Sequence, residues 1–164
     1  METVTILVDV QNIYYTTRQA YGSNFDYNAF WAKATANRQV VKAVAYAIDR
    51  DDAKQKQFQN ILRAIGFEVK LKPYIQRADG SAKGDWDVGI TLDAIEYGAQ
   101  SDALVLASGD GDFDLLVSKL RQRHHTEVEV YGVPKLTAAS LVNAATRFIP
   151  IDDSLLLQAG RRDR

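Results

Sequence analysis

The feature that most constrains this chain is an alternation. Short apolar runs of strand character recur, and each is followed by a stretch with helical spacing. Thr3–Asp9 (TVTILVD) is the first run, with a helical pattern after it through Ala20. Asp26 is placed to cap a helix from Tyr27 to about Ala36. Val40–Ile48 predicts a buried strand, and Asp51-Asp52 suit the start of a helix that carries Phe58, Ile61, Leu62 and Ile65 and stops at Gly66. Phe67–Leu71 alternates like a strand, and 72–84 (KPYIQRADGSAKG) is the main irregular loop. A helix from about Trp86 to Tyr97 follows, with Val88, Leu92 and Ile95 as its expected buried stripe. Strands are expected at Ala103–Ala107 and Glu127–Tyr131, with a short edge strand at Arg147–Ile151. Helices Phe113–Arg123 and Thr137–Ala145 separate them. This order predicts an α/β sandwich with a mainly parallel central sheet and right-handed crossovers. One domain over 1–151 is expected, with a partly ordered tail over 152–164.

Composition removes several chemistries. The chain has 164 residues and no cysteine, so disulfides, thiolate metal sites and Cys nucleophiles are excluded. The two histidines, His124 and His125, are adjacent in a polar segment and offer little to a Ser-His-Asp triad or a His-rich metal site. Apolar runs fall short of the ~20 residues of a membrane helix, and Met1-Glu2-Thr3 leads straight into a strand-like run with no signal-peptide pattern. A soluble cytoplasmic protein with no membrane partner is the expectation. The net charge of −1 leaves any nucleic-acid contact to local basic clusters.

What remains is a pattern of carboxylates. In LVLASGDGDFDLLV (104–117), Asp110, Asp112 and Asp114 stand at alternate positions directly after a strand. Asp9 ends the first strand. In a parallel sheet both strand ends point to one rim, where α/β proteins place their sites. A lone Asp112 at a helix start reads first as an N-cap, and Asp114 suits the helix dipole. A fourth acid comes from KGDWDVGITLDAIEYG (83–98), where Asp87 lies near the helix start. Asp93 is an alternate, about 120° around the helix from Asp87. Lys83 either pairs with a phosphate or relieves the acids. Carboxylates from separate strand ends, with no cysteine and no available histidine, suit Mg²⁺ or Mn²⁺. Such ions activate water and hold the oxygens of a phosphodiester.

Three segments, ILVDVQNIYY (6–15), KGDWDVGITLDAI (83–95) and LASGDGDFDLLV (106–117), resemble the NYN domain in its bacterial LabA-like branch. The likeness spans about residues 3–151. It implies a PIN-like three-layer α/β/α sandwich with a metal-dependent, ribonuclease-like site, a set of metal ligands at Asp9, Asp87, Asp110 and Asp112, and Asn12 in the Asn position after the first acid. Lys83 matches the Lys of the family's Lys-Gly-x-x-Asp segment. Ser108, Asp110, Asp112 and Phe113 match its Ser-Gly-Asp-x-Asp-Phe segment. A homodimer is a further expectation from the resemblance, because PIN-like folds often pair.

RNA is the expected partner, met through basic and aromatic side chains: Tyr14, Tyr15, Arg18, Tyr74, Arg77 and Lys83 are the candidates. Packing on a half-buried helix face is the plain alternative for the tyrosines. Asn12 and Ser108 also have plain readings, as a cap and a turn residue. Arg121, Arg123, His124 and His125 read as a solvated helix end. A non-cleaving RNA-binding or regulatory module on the same fold is the competing function. A haloacid-dehalogenase-like phosphatase would need an Asp where Gln11 stands, a Toprim-like enzyme a Glu at Asp9, and a dinucleotide-binding protein a Gly-rich turn after the first strand.

Overall fold

The structure, a computed structural model, describes residues 1–73, 75, 76, 82, 83 and 85–158, the four between 75 and 83 by backbone alone. Six parallel strands form one sheet: β1 (Glu2–Asp9), β2 (Arg38–Asp49), β3 (Glu68–Pro73), β6 (Ala103–Ala107), β7 (Glu127–Gly132) and β8 (Arg147–Pro150). Their spatial order is β3-β2-β1-β6-β7-β8, and every pairing is parallel. Two short strands within the expected loop, β4 (Ile75–Gln76) and β5 (Ala82–Lys83), pair with each other as an antiparallel ribbon.

The helices are α1 (Val10–Tyr21), α2 (Tyr27–Thr35), α3 (Ala53–Ile65), α4 (Asp87–Asp93), α5 (Asp114–Arg123) and α6 (Ala139–Ala144). After β1 the chain steps outward through β2 and β3, and after β6 it steps outward the other way through β7 and β8. Right-handed crossovers in opposite directions put their helices on opposite faces. Hence α1, α2 and α3 cover one face, where Ile13, Phe30 and Leu62 pack on Val4, Ile6 and Val8. The other face carries α4, α5 and α6, with Ile90, Leu116, Leu120 and Leu141 packed beside Leu7, Leu104 and Leu106. Burial on both faces accounts for the nearly unbroken apolar strands.

The fold departs from the sequence reading in detail. In α3, Ile61 is 48% exposed and the buried positions are Gln59 and Leu62, flanked by Phe58 and Ile65. The helix after Gly84 is α only to Asp93 and continues as a π-turn over Ala94–Gly98. Its stripe also differs: Val88 and Leu92 are 70% and 63% exposed, while Ile90, Asp93 and Ala94 face the core. At the C-terminal end Leu155 and Leu156 are buried, and Phe25 bridges to Leu156, so these residues belong to the packed body. Among the described residues no helix is long and apolar enough to cross a membrane.

Candidate metal centre at the strand switch point

The strand order reverses between β1 and β6. Val8 pairs with Ala107, so Asp9 and Ser108, one residue further along each strand, stand side by side on the rim. Asp9 is also the N-cap of α1: its Oδ1 accepts the Asn12 N–H at 3.4 Å. Its Oδ2 accepts the Ser108 hydroxyl at 3.2 Å. Ser108 is fully buried, and its oxygen accepts the Asp110 N–H at 3.2 Å. It therefore orients carboxylates and is out of reach of a phosphate. Asn12 does more than follow the cap, because its Oδ1 accepts the Gly109 N–H at 2.8 Å and ties the loop after β6 to the start of α1.

That loop depends on glycine. A Cβ on Gly109 would lie 2.6 Å from the Leu136 carbonyl oxygen, a backbone atom that cannot rotate away. Gly109→Ala is expected to destabilise the protein by about 1–3 kcal/mol, the scale of overpacking. Urea unfolding checks this, and an unchanged midpoint would refute it.

Beyond the glycine, Asp110 rather than Asp112 is the cap. Its Oδ1 accepts the Asp112 N–H at 2.9 Å and starts the 3₁₀ turn Gly111–Phe113. This leaves the Asp112 side chain exposed on the rim. Phe113, Leu116, Val117 and Leu120 fill the core side of α5 as the spacing predicts, and Asp114 opens the helix. Ligand oxygens of Asp87, Asp110 and Asp112 lie within 4.8 Å of one another. Asp9 stands beside this trio rather than in it, engaged with Asn12 and Ser108.

The electrostatics match the crowding. Burial pushes the Asp87 carboxyl up to about 7, helped by the charges of Asp110, Asp85 and Asp9 and by a hydrogen bond with Asp110 that favours its protonated form. Asp9 is pushed up to about 6, again chiefly by burial, with the Asn12 N–H and Ser108 hydroxyl opposing and Asp110 and Asp85 adding to the rise. Carboxylates gathered this closely repel one another, and the three oxygens within 4.8 Å could hold a metal ion.

Sequence reasoning passed over what aims Asp87 at the rim. The Trp86 indole N–H donates to the Ala47 carbonyl at 2.9 Å. Its ring packs on Tyr46 at 5.4 Å and lies under the Lys72 ammonium at 4.6 Å. A Cβ at Gly89 would meet that ring at 2.6 Å, so α4 sits close on the indole. One helix turn beyond, Asp93 accepts the Tyr46 hydroxyl and the Lys70 ammonium, each at 2.7 Å. Asp93 is thus a buried anchor and no alternate ligand. Asp93→Ala leaves the buried Tyr46 hydroxyl unpartnered and Lys70 with only its 4.0 Å pairing to Glu68 among the described residues, at an expected cost of about 2–3 kcal/mol, discounted because Lys70 is partly exposed. Thermal unfolding tests this, and a variant as stable as the parent would refute it. Asp85 is exposed beside the start of α4. Its carboxylate accepts the Asp87 N–H at 3.2 Å.

Among the substrate candidates, Tyr14 and Tyr15 are about half exposed on α1. Arg18 lies in the last turn of α1, reaching the Gly22 carbonyl at 3.5 Å, ~12 Å along the axis from the rim. Tyr74, Arg77 and the Lys83 side chain lie outside the described residues. Arg121 donates to the Ala144 carbonyl at 2.7 Å, which fits the reading of that cluster as a helix end.

Comparison with known proteins agrees with this architecture. The NYN domain model matches residues 3–152. The chain is 30% identical over 163 residues to the low amplitude and bright protein LabA of Synechococcus elongatus, covering 92% of this chain and 84% of that protein. A crystal structure of a protein of unknown function from Vibrio parahaemolyticus superposes with a TM-score of 0.91 at 62% identity, covering 95% of this chain and 96% of that one. A switch-point rim of carboxylates, on a sheet of this order, is therefore borne by a chain that belongs to the NYN domain family.

Proposed function

We propose that this protein is a metal-dependent ribonuclease that hydrolyses phosphodiester bonds at the rim formed by Asp9, Asp87, Asp110 and Asp112. The observation that carries the reading is the Asp87–Asp110–Asp112 group at the switch point, with the Asp87 carboxyl pushed up to about 7 by burial and by its acidic neighbours. Asp87, Asp110 and Asp112 would hold Mg²⁺ or Mn²⁺. Bound there, such an ion lowers the pKa of water and neutralises charge on the phosphodiester. Asp9, raised to about 6 by burial and held at Oδ2 by Ser108, would take a proton from the attacking water. Asn12 keeps the loop carrying Asp110 in register with α1. RNA is the proposed partner, with the half-exposed Tyr15 of α1 as a contact.

The test is incubation of the purified protein with labelled single-stranded RNA, structured RNA and DNA in Mg²⁺, Mn²⁺ or EDTA. Cleavage that requires the metal and favours RNA is expected. Binding that survives EDTA, with no turnover on any substrate, would replace this reading by a non-cleaving RNA-binding module.

A further inference from the structure

Next to the carboxylate rim, a cleft of about 740 Å³ opens between α1 and α3, within the ~300–1,000 Å³ range of small-molecule sites. Val10 and Gln11, which follow Asp9, lie on its wall, so it begins where the proposed active site ends. Its chemistry is mixed. Tyr14 and Tyr15 contribute exposed rings, packed edge-to-face on each other at 5.5 Å. Lys54 brings an exposed cation from the first turn of α3, and Gln59 an amide that is 5% exposed. Asn24 lines the same cleft, and its Oδ1 is buried with no hydrogen-bond partner among the described residues.

That last atom is the telling one. A buried acceptor without a donor costs free energy, and proteins keep such groups where something else supplies the donor. Asn24 itself lines the cleft, and a half-turn of its amide, exchanging oxygen and nitrogen, would be needed to bring the oxygen to a ligand there. A planar, amino-bearing group between tyrosine rings and two amides would satisfy it. Asn and Gln amides pair bidentately with the N6 and N7 edge of adenine, aromatic rings stack on bases, and a lysine suits the phosphate backbone.

We infer that the α1–α3 cleft is a nucleobase subsite, which takes an adenine beside the carboxylate rim, stacked on Tyr14 or Tyr15 and read by Asn24 and Gln59. This rests on the ribonuclease reading only for its orientation toward RNA; binding of the base needs no cleavage. An adenine offered by an RNA strand and one offered by a free nucleotide share this chemistry.

Binding of fluorescein-labelled r(A)₈ and r(U)₈ to the full chain, followed by anisotropy in EDTA, tests the site without turnover. Wild type is expected to prefer r(A)₈ by about tenfold, and Tyr14→Ala/Tyr15→Ala to weaken r(A)₈ binding at least tenfold, as loss of base stacking does. Asn24→Leu should abolish the preference while its melting temperature holds or rises, because the substitution removes an orphaned acceptor. A structural role for Asn24 would instead lower the melting temperature. Adenosine 5′-monophosphate that displaces r(A)₈ near the octamer's own Kd would make free nucleotide the source of the base; displacement only far above it would make the strand the source. Equal affinity for r(A)₈ and r(U)₈, variants that bind like wild type, or no binding of either ligand by wild type would overturn the subsite. If the variants behave as stated but no condition yields cleavage, the subsite stands and the ribonuclease reading falls.

Discussion

Replacing Asp110 by Asn is expected to lower RNA cleavage by on the order of a thousandfold or more, the rate equivalent of the several kcal/mol that a positioned metal supplies. The residue is central to the site in three ways. It contributes an oxygen to the trio, caps the turn that presents Asp112, and is the neighbour whose charge most raises Asp87. Asparagine keeps the cap, since its carbonyl still accepts the Asp112 N–H, but loses the charge. Two further results should accompany the loss of activity. Mn²⁺ binding by calorimetry should weaken beyond measurement, and the melting temperature in EDTA should stay or rise, because one of several repelling carboxylates is gone. Retained cleavage would remove the metal centre from the mechanism. Lost cleavage with a falling melting temperature would instead report a damaged fold.

In the absence of divalent ions, stability should fall as the pH rises from about 4 to 8. Asp87 and Asp9 are raised in the folded protein to about 7 and about 6, against an ordinary aspartate value of 3.8. The folded state therefore holds protons that the unfolded chain has already released, and ionising these groups at higher pH weighs only on the folded state. Their contribution is neutral below pH 4, grows more unfavourable through pH 7, and is constant above. Because the Asp87 side chain is partly exposed, screening reduces the effect. A discounted total of about 1–2 kcal/mol corresponds to a melting temperature lower by roughly 3–6 °C at pH 8 than at pH 5. Mg²⁺ or Mn²⁺ should reverse the trend, with affinity that improves up to about pH 7.5 as protons cease to compete for the ligands. A melting temperature independent of pH in EDTA, or a cation effect that survives Asp110→Asn, would contradict this account.

The positions of the rim acids were legible in the sequence, for a local reason. Asp9, Asp110 and Asp112 fall at strand ends or helix starts, and those positions are set by short-range signals: an apolar run, a glycine turn, a cap. Parallel strands share a direction, so strand ends converge without any knowledge of strand order. The finer division of labour was not legible. Asp112 has the sequence of a cap, yet Asp110 caps, because the turn tightens to a 3₁₀ form against Ala138, whose Cβ would be 2.8 Å from any Cβ on Gly111.

The stripe on α4 shows where hydrophobic spacing misleads. Val88 and Leu92 have the residue types of a core face and stand in solvent, while Asp93 is buried. Asp93 takes that place because Tyr46 and Lys70 meet it there, from 47 and 23 residues away. A window along one helix contains no trace of them. The pairing decides which way the helix is rotated, and hence that Asp87 faces Asp110.

By itself, then, the sequence determined the alternation of strand and helix, the parallel sheet, the exclusion of thiol chemistry, and the identity of the acids at the strand ends. These follow from periodicity, composition and capping, which act over a few residues. Tertiary structure alone decided the rotation of α4, the separation of Asp9 from the carboxylate trio, and the presence of a cleft with an unsatisfied amide between α1 and α3. Each of these depends on contacts between residues remote in the chain, and burial sets both their pKa values and their partners.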